Sequence, residues 1–141
     1  MALVQLIYVS GLVGEDTTSL GAIVESAVRH NNANGITGML LYYSGSFLQV
    51  LEGEAANVHA TYARICADPR HQNVTLLNED AIQERDFLRW SMGYKQLRAE
   101  DLAQFPECTA HFNFGLLPQA IQGSPGLALE MLHLFSKGRF G

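Results

Sequence analysis

Positive charge is scarce in this chain. Nine lysines and arginines stand against fourteen acidic residues, leaving a net charge of −5, and the cations form no cluster along the sequence. Neutralising phosphates needs concentrated cations, so a nucleic-acid partner is not expected. A polybasic contact with a membrane surface fails for the same reason. Cysteine is equally sparse. Cys66 and Cys108 stand far apart, with no CxxC and no Cys/His spacing suited to a metal. Two free thiols in a reducing compartment are the simplest expectation, and five scattered histidines make no metal site. No apolar run approaches the ~20 residues of a membrane span. Residues Met1 to Leu6 lack the basic lead and long apolar core of a signal peptide. The expectation is an acidic, soluble, cytoplasmic protein.

What is present is a core-forming chain. Its 141 residues are 48% hydrophobic and 16% charged, enough for one domain with a packed interior and too few for two. Leu3 to Ser10 is rich in β-favouring residues and reads as a first strand ending in a glycine-containing acidic turn. Thr17, Thr18 or Ser19 is placed to cap a helix in which Leu20, Ile23, Val24, Ala27 and Val28 make one apolar stripe. Asn31 lies three turns after Leu20, close to that stripe, and Asn34-Gly35 ends the helix. Ile36–Tyr43 and Ser46–Glu52 are two strands joined by Ser44-Gly45, a hairpin. A second helix runs from about Ala55 to Asp68, with Val58, Tyr62, Ile65 and Cys66 as its apolar stripe and Pro69 as its stop. Thr61, Arg64 and Asp68 share an adjoining face. Val74 through Ile82 reads as a fourth strand and Leu88–Tyr94 as a fifth.

The predicted order is β-α-β-β-α-β-β, a ferredoxin-like α+β sheet with two helices on one face. After Leu97 the pattern changes to short helical pieces between prolines and glycines. The predicted organisation is residues 1–95 as the sheet domain and 96–141 as a C-terminal helical cap of the same domain.

The polar groups on apolar positions carry most of the information. Gln49 shares a strand face with Phe47 and Leu51, and Tyr8 shares one with Val4 and Leu6. A buried amide left without partners costs about 1–3 kcal/mol, so Gln49 needs a reason to be there. Each such residue has a plain alternative, though. A core glutamine is usually a structural hydrogen-bonder, Tyr8 alone can be packing, Arg64 a solvated ion-pair partner, and Asn31 a cap. Trp90 and Met92, alternating on one strand face, can be simple core, and His30 and His71 taken alone read as surface residues.

In series, these residues resemble a family. Leu6-Ile7-Tyr8, then His30 through Gly38, then Phe47-Leu48-Gln49-Val50-Leu51-Glu52-Gly53 stand in order. Tyr62-Ala63-Arg64-Ile65, Asp68-Pro69-Arg70-His71, and Phe87 with Trp90-Ser91-Met92 follow. From residue 3 to about 95 the chain resembles the BLUF domains, blue-light sensors using FAD. The resemblance implies a flavin held between the two helices (FAD, with FMN or riboflavin as alternatives). It implies that Asn31 bonds the pyrimidine edge, that Arg64 and Asp68 contact the polar edge, and that Ile23, Phe47 and Ile65 pack on the ring. His30 and His71 join the flavin-binding set. Tyr8 and Gln49 match the photochemical pair, and Trp90 and Met92 the switch pair whose placement near the glutamine is debated across members. The chain departs from some members at His30, where asparagine is found, and at Ala27, where serine is found.

The resemblance further implies a photoreceptor, not an enzyme. Light would move an electron and a proton from Tyr8 through Gln49 to the flavin. Their return would leave the amide rotated or tautomerised and the flavin absorption red-shifted. Output is expected in trans, through self-association into a homo-oligomer or a downstream protein partner, by movement of the last strand and the tail. Two other classes stay open on the residues alone. An acylphosphatase-type enzyme shares the topology but needs an anion-binding loop, and here Gly11 to Asp16 carries acids and no arginine. A cofactor-free interaction module would leave Gln49 and Arg64 merely structural.

Overall fold

The computed structural model describes residues 2–13, 19–43, 45–87 and 93–96. Thr17, Thr18, Trp90, Met92 and the proposed helical cap lie outside the described residues.

Strand β1 (Leu3–Leu12) is followed by helix α1 (Ser19–Asn34), then β2 (Thr37–Tyr43) and β3 (Ser46–Glu54). Helix α2 (Ala55–Ala67), β4 (His71–Ile82) and β5 (Gly93–Gln96) complete the order. The sheet runs β4-β1-β3-β2-β5. Its first four strands are antiparallel, and β5 adds parallel to β2. This is the predicted ferredoxin-like α+β arrangement. The fourth strand starts earlier than expected, at His71, because the turn after α2 feeds straight into pairing with Leu12. Among the described residues the fifth strand is Gly93–Gln96, which overlaps the predicted Leu88–Tyr94 at Gly93 and Tyr94; residues 88–92 lie outside the described residues.

Alternation along the central strands decides what faces the helices. Val4, Leu6, Tyr8, Leu40, Phe47 and Leu51 form the helix-side core with Leu20 and Ile23 of α1 and Val58 of α2. Ile7, Val9, Met39, Leu41, Leu48 and Val50 point to the other side and are also buried. Continuous burial on both faces is why β1 and β3 read as near-unbroken apolar runs. The α1 stripe holds as predicted, with Val24, Ala27 and Val28 packed against the core. In α2 the stripe is displaced: Cys66 is exposed and Thr61 is buried instead. Thr61 tolerates burial because its hydroxyl donates to the Asn57 carbonyl one turn back, at 2.8 Å.

Two local features set the positions that matter below. Helix α1 ends with Gly35 at φ 65°, and the Ile36 N–H reaches back to the Asn31 carbonyl at 3.0 Å. That is the six-to-one bond of a Schellman ending, which needs a left-handed residue after the helix. The β2–β3 hairpin turns through Gly45 at φ 86°, and the Gly45 N–H donates to the Tyr42 hydroxyl at 3.0 Å. This turn sets the register in which Gln49 lies opposite Leu40.

Candidate functional site

The register of the sheet assembles the centre of the site. Tyr8 on β1 lies directly opposite Gln49 on β3, and Leu40 on β2 flanks Gln49 on its other side. Directly opposed side chains on one face sit within contact range. The Tyr8 hydroxyl accordingly donates to Gln49 Oε1. Tyr8 is fully buried, and Gln49 is 3% exposed. With the phenol donating, the amide oxygen faces Tyr8 and the Gln49 NH₂ is the donor end. Burial, first of all, holds the Tyr8 phenol well above its ordinary range, with the neighbouring Tyr62, Cys66 and Asp68 adding to it. Tyr8 is therefore a neutral hydrogen-bond donor at any physiological pH. Tyr62 stacks obliquely on it, the rings 5.5 Å apart at 60°.

Over this pair, α1 and α2 leave a groove with about 490 Å³ of empty space, its solvent-open mouth included. Leu40 and Leu51 form part of its floor beside Tyr8 and Gln49, and Ile23, Ala27 and Ile65 line its apolar walls. Polar groups sit at one edge: Asn31, His30 and Ser26 from α1, Thr61 and Arg64 from α2, and Asp68, Arg70 and His71 from the turn into β4. Asn31 is 1% exposed, held inward by the same Schellman ending that closes its helix.

A hydrogen-bonded bridge crosses the groove between the helices. Thr61 uses its proton on the Asn57 carbonyl, so at 3.0 Å its oxygen accepts from His30 Nε2–H. His30 Nδ1 is then an acceptor, and Arg64 Nη1 sits in close contact with it. A second proton on this ring would point at the guanidinium. Burial, with Arg64 beside it, indeed lowers the affinity of His30 for a proton.

At the other end, Asp68 is gripped by Arg70. Arg70 Nη2 lies 2.7 Å from Oδ2, and the Arg70 backbone N–H lies 2.9 Å from Oδ1. These hydrogen bonds hold the Asp68 carboxyl below the usual range despite partial burial. His71 packs its ring 5.0 Å from that of Phe47, and its Nδ1 lies 2.9 Å from the Ser10 hydroxyl. Burial pushes its proton affinity down.

Of the residues singled out in the sequence, Tyr8, Ile23, His30, Asn31, Gln49, Arg64, Ile65, Asp68 and His71 meet at this groove. Phe47 does not line it. It is fully buried, its ring packed against those of Tyr42 and His71. His30 and His71 are half-buried members of the groove, not surface residues. Sequence reasoning missed Leu40, Ser26, Thr61 and Arg70 as groove residues. Leu40 could have been found from the hairpin register, and Thr61 from its place one turn before Arg64. Nothing in the sequence marks Ser26, and Arg70 stands in the Asp68-Pro69-Arg70-His71 run with no role of its own. Among the described residues no group of three or more His, Cys, Asp or Glu is placed to hold a metal, and no helix is long and apolar enough to cross a membrane.

This donor set suits a flat heteroaromatic ring with one polar edge. Apolar side chains flank the slot, and amide, imidazole and guanidinium groups converge where carbonyls and ring nitrogens would lie. Comparison with known proteins agrees. The family described as sensors of blue-light using FAD matches residues 3–93. Photoactivated adenylate cyclase subunit beta of Euglena gracilis is 41% identical over 88 residues, 62% of this chain and 10% of that protein. The blue light- and temperature-regulated antirepressor BluF of Escherichia coli (strain K12) is 33% identical over 113 residues, 77% of this chain and 28% of that one. The chain thus spans a minor part of both. Among solved structures, the dark state of the BLUF protein BlrB superposes with a TM-score of 0.76 at 27% identity, covering 97% of each chain. The photo-activated state of BlsA gives 0.75 at 32% identity, covering 94% of this chain and 95% of that one.

Proposed function

The chain belongs to the BLUF family of flavin-binding blue-light sensors, and from that premise we propose that Tyr8 and Gln49 are its photochemical switch. The observation that carries this is the buried hydrogen bond from the Tyr8 hydroxyl to the Gln49 amide oxygen, at the floor of a groove built for a planar ring. When bound, oxidised flavin supplies the blue-light absorber and the excited-state electron acceptor. Asn31 would hold the ring's pyrimidine edge; His30, Arg64, Asp68 and His71 would supply the remaining polar contacts; Ile23 and Ile65 would pack on its faces.

Bound flavin would serve as the electron acceptor in the light, with Tyr8 as donor of an electron and of its phenolic proton and Gln49, which holds that hydroxyl, as the relay for the proton in both directions. No covalent bond would be made, and Gln49 would be left rotated or tautomerised, the changed hydrogen bonding accounting for a red-shifted absorption. The cycle has no net redox turnover, so the chain acts as a sensor and not as an enzyme. Because the phenol stays protonated by burial, the proton is always present to be relayed. FAD is the proposed flavin, with FMN or riboflavin accepted by the same ring contacts. Output passes in trans, to a second copy of this chain in a homo-oligomer or to a downstream protein, in the cytoplasm. Trp90 and Met92 are kept as candidates for the signalling element.

The test is the visible spectrum in darkness and after blue light. A flavin spectrum that shifts red and recovers in the dark supports the switch. A flavin that bleaches instead means ordinary photoreduction, and a colourless protein that takes up no added flavin refutes the reading.

A further inference from the structure

The side of the sheet away from the groove holds a buried carboxylate that the photochemistry does not use. Glu52 is three residues beyond Gln49 on β3, and it is fully buried. Strand alternation puts its side chain on the opposite face, where Gln5 is its cross-strand partner. A carboxylate moved out of water is costly unless several donors surround it. Three do so. Gln5 Nε2 donates to Oε2 at 2.7 Å, the Asp86 backbone N–H to Oε2 at 3.0 Å, and the Phe87 backbone N–H to Oε1 at 2.7 Å. Gln5 also bridges to Asp86 Oδ2 at 3.0 Å. The neighbouring Arg85 fastens the same segment from its other side. It donates to the Glu52 carbonyl at 3.2 Å, to Thr37 Oγ1 at 3.1 Å and to the Gly35 carbonyl at 2.7 Å. Phe87, 4% exposed, anchors the end of the segment.

Residues 85–87 are thus fixed to the strand of Gln49 and, through Gly35, to the ending of the helix that carries Asn31. They are also the chain that runs on towards β5, whose Tyr94 pairs with Leu40, the neighbour of Gln49. Resting on the proposed Tyr8–Gln49 switch, we propose that Glu52 is a positioning residue for the light response. Its carboxylate, with Arg85, latches residues 85–87 to β3, so that rearrangement of Gln49 is delivered along about 10 Å of strand to the chain entering β5. The latch is discrete: each backbone N–H is either on the carboxylate or off it.

The test reads amide exchange at Asp86 and Phe87 in the flavin-loaded protein, in darkness and under blue light, together with dark recovery of the spectrum. In the unsubstituted protein the two amides should exchange faster in the light. Glu52→Gln replaces one accepting oxygen by a donor, so Phe87 loses its acceptor if the new NH₂ takes the place of Oε1, and Gln5 and Asp86 lose theirs if it takes the place of Oε2. It should keep the red shift at full size, remove the light–dark difference in exchange, and slow recovery by about three- to tenfold. Arg85→Lys, which loses the forked contacts but keeps the charge, should act in the same direction and covers the case in which Glu52→Gln does not fold. A normal red shift with light-independent exchange at 86 and 87 in the unsubstituted protein overturns the latch alone. So does recovery unchanged in either folded variant. Absence of any red shift in the unsubstituted protein overturns the Tyr8–Gln49 switch and the latch with it.

Discussion

Replacing Tyr8 by Phe deletes one oxygen at the centre of the switch and leaves the ring. Tyr8 is fully buried, and its hydroxyl is the donor to Gln49 Oε1. The substitution therefore has two separable consequences. The first is structural. Gln49 is 3% exposed, and an amide oxygen deprived of its donor at that depth costs about 1–3 kcal/mol. The phenyl ring still fills the space beside Tyr62, so little cavity is added. For a domain of this size the melting temperature should fall by about 3–10 °C, and the protein should stay folded. The flavin should stay bound, because none of the proposed ring-edge contacts is lost. The second consequence is chemical. Phenylalanine offers neither an accessible electron nor a proton, so the reversible red shift should vanish. The assay is a light-minus-dark difference spectrum on flavin-loaded protein, with a thermal melt on the same sample. A red shift of ordinary size in the Phe variant would refute Tyr8 as the donor. A loss of bound flavin would instead mean that Tyr8 builds the groove and that its photochemical role had not been isolated.

Four further outcomes follow from the same geometry. Gln49→Leu should retain flavin and lose the shift, checked by the same spectra, since an apolar side chain of similar size relays nothing. Asn31→Ala should weaken flavin binding by about ten- to a hundredfold in a fluorescence titration, the loss of one or two buried hydrogen bonds; unchanged affinity would remove Asn31 from the binding set. The pH dependence of stability has a definite sign. Burial holds His71 and His30 below the usual histidine value of about 6.5, so the folded chain binds fewer protons than the unfolded one. Stability should be full above about pH 6.5 and decline as pH falls below it towards the lowered values. The melting temperature should thus drop between pH 7.5 and 5.5, and His71→Gln should shrink that drop; an equal drop in the variant would exclude His71. Gly35→Ala meets no atom within 4 Å, so its cost is purely the left-handed φ of 65°, about 1–2 kcal/mol by denaturant unfolding. A neutral result would mean the helix ending tolerates another conformation.

Much of the fold was legible because each element carries a local signature. Alternation marked β1 and β3, the Leu20–Val28 stripe marked α1, and Gly35 and Gly45 marked the ends where a left-handed residue is needed. The apolar stripe of α2 was misjudged at Cys66, because periodicity alone cannot tell that Thr61 has a carbonyl one turn back to satisfy its hydroxyl. The start of β4 was placed late because His71 looks like a loop residue until Leu12 pairs with it.

The sequence by itself determined that Tyr8 and Gln49 would be buried: a tyrosine and a glutamine amid strand-forming apolar residues face inward whatever the strand order. Their meeting was a tertiary matter. Tyr8 and Gln49 are forty-one positions apart, and only the antiparallel register of β1 on β3 sets one opposite the other. The same holds for the His30–Thr61–Arg64 bridge, for Arg70 closing over Asp68, and for Glu52 gripping the backbone of Asp86 and Phe87. Local patterns report which face a side chain takes; hydrogen-bond partners far along the chain are chosen by register and packing, which no short window of sequence contains.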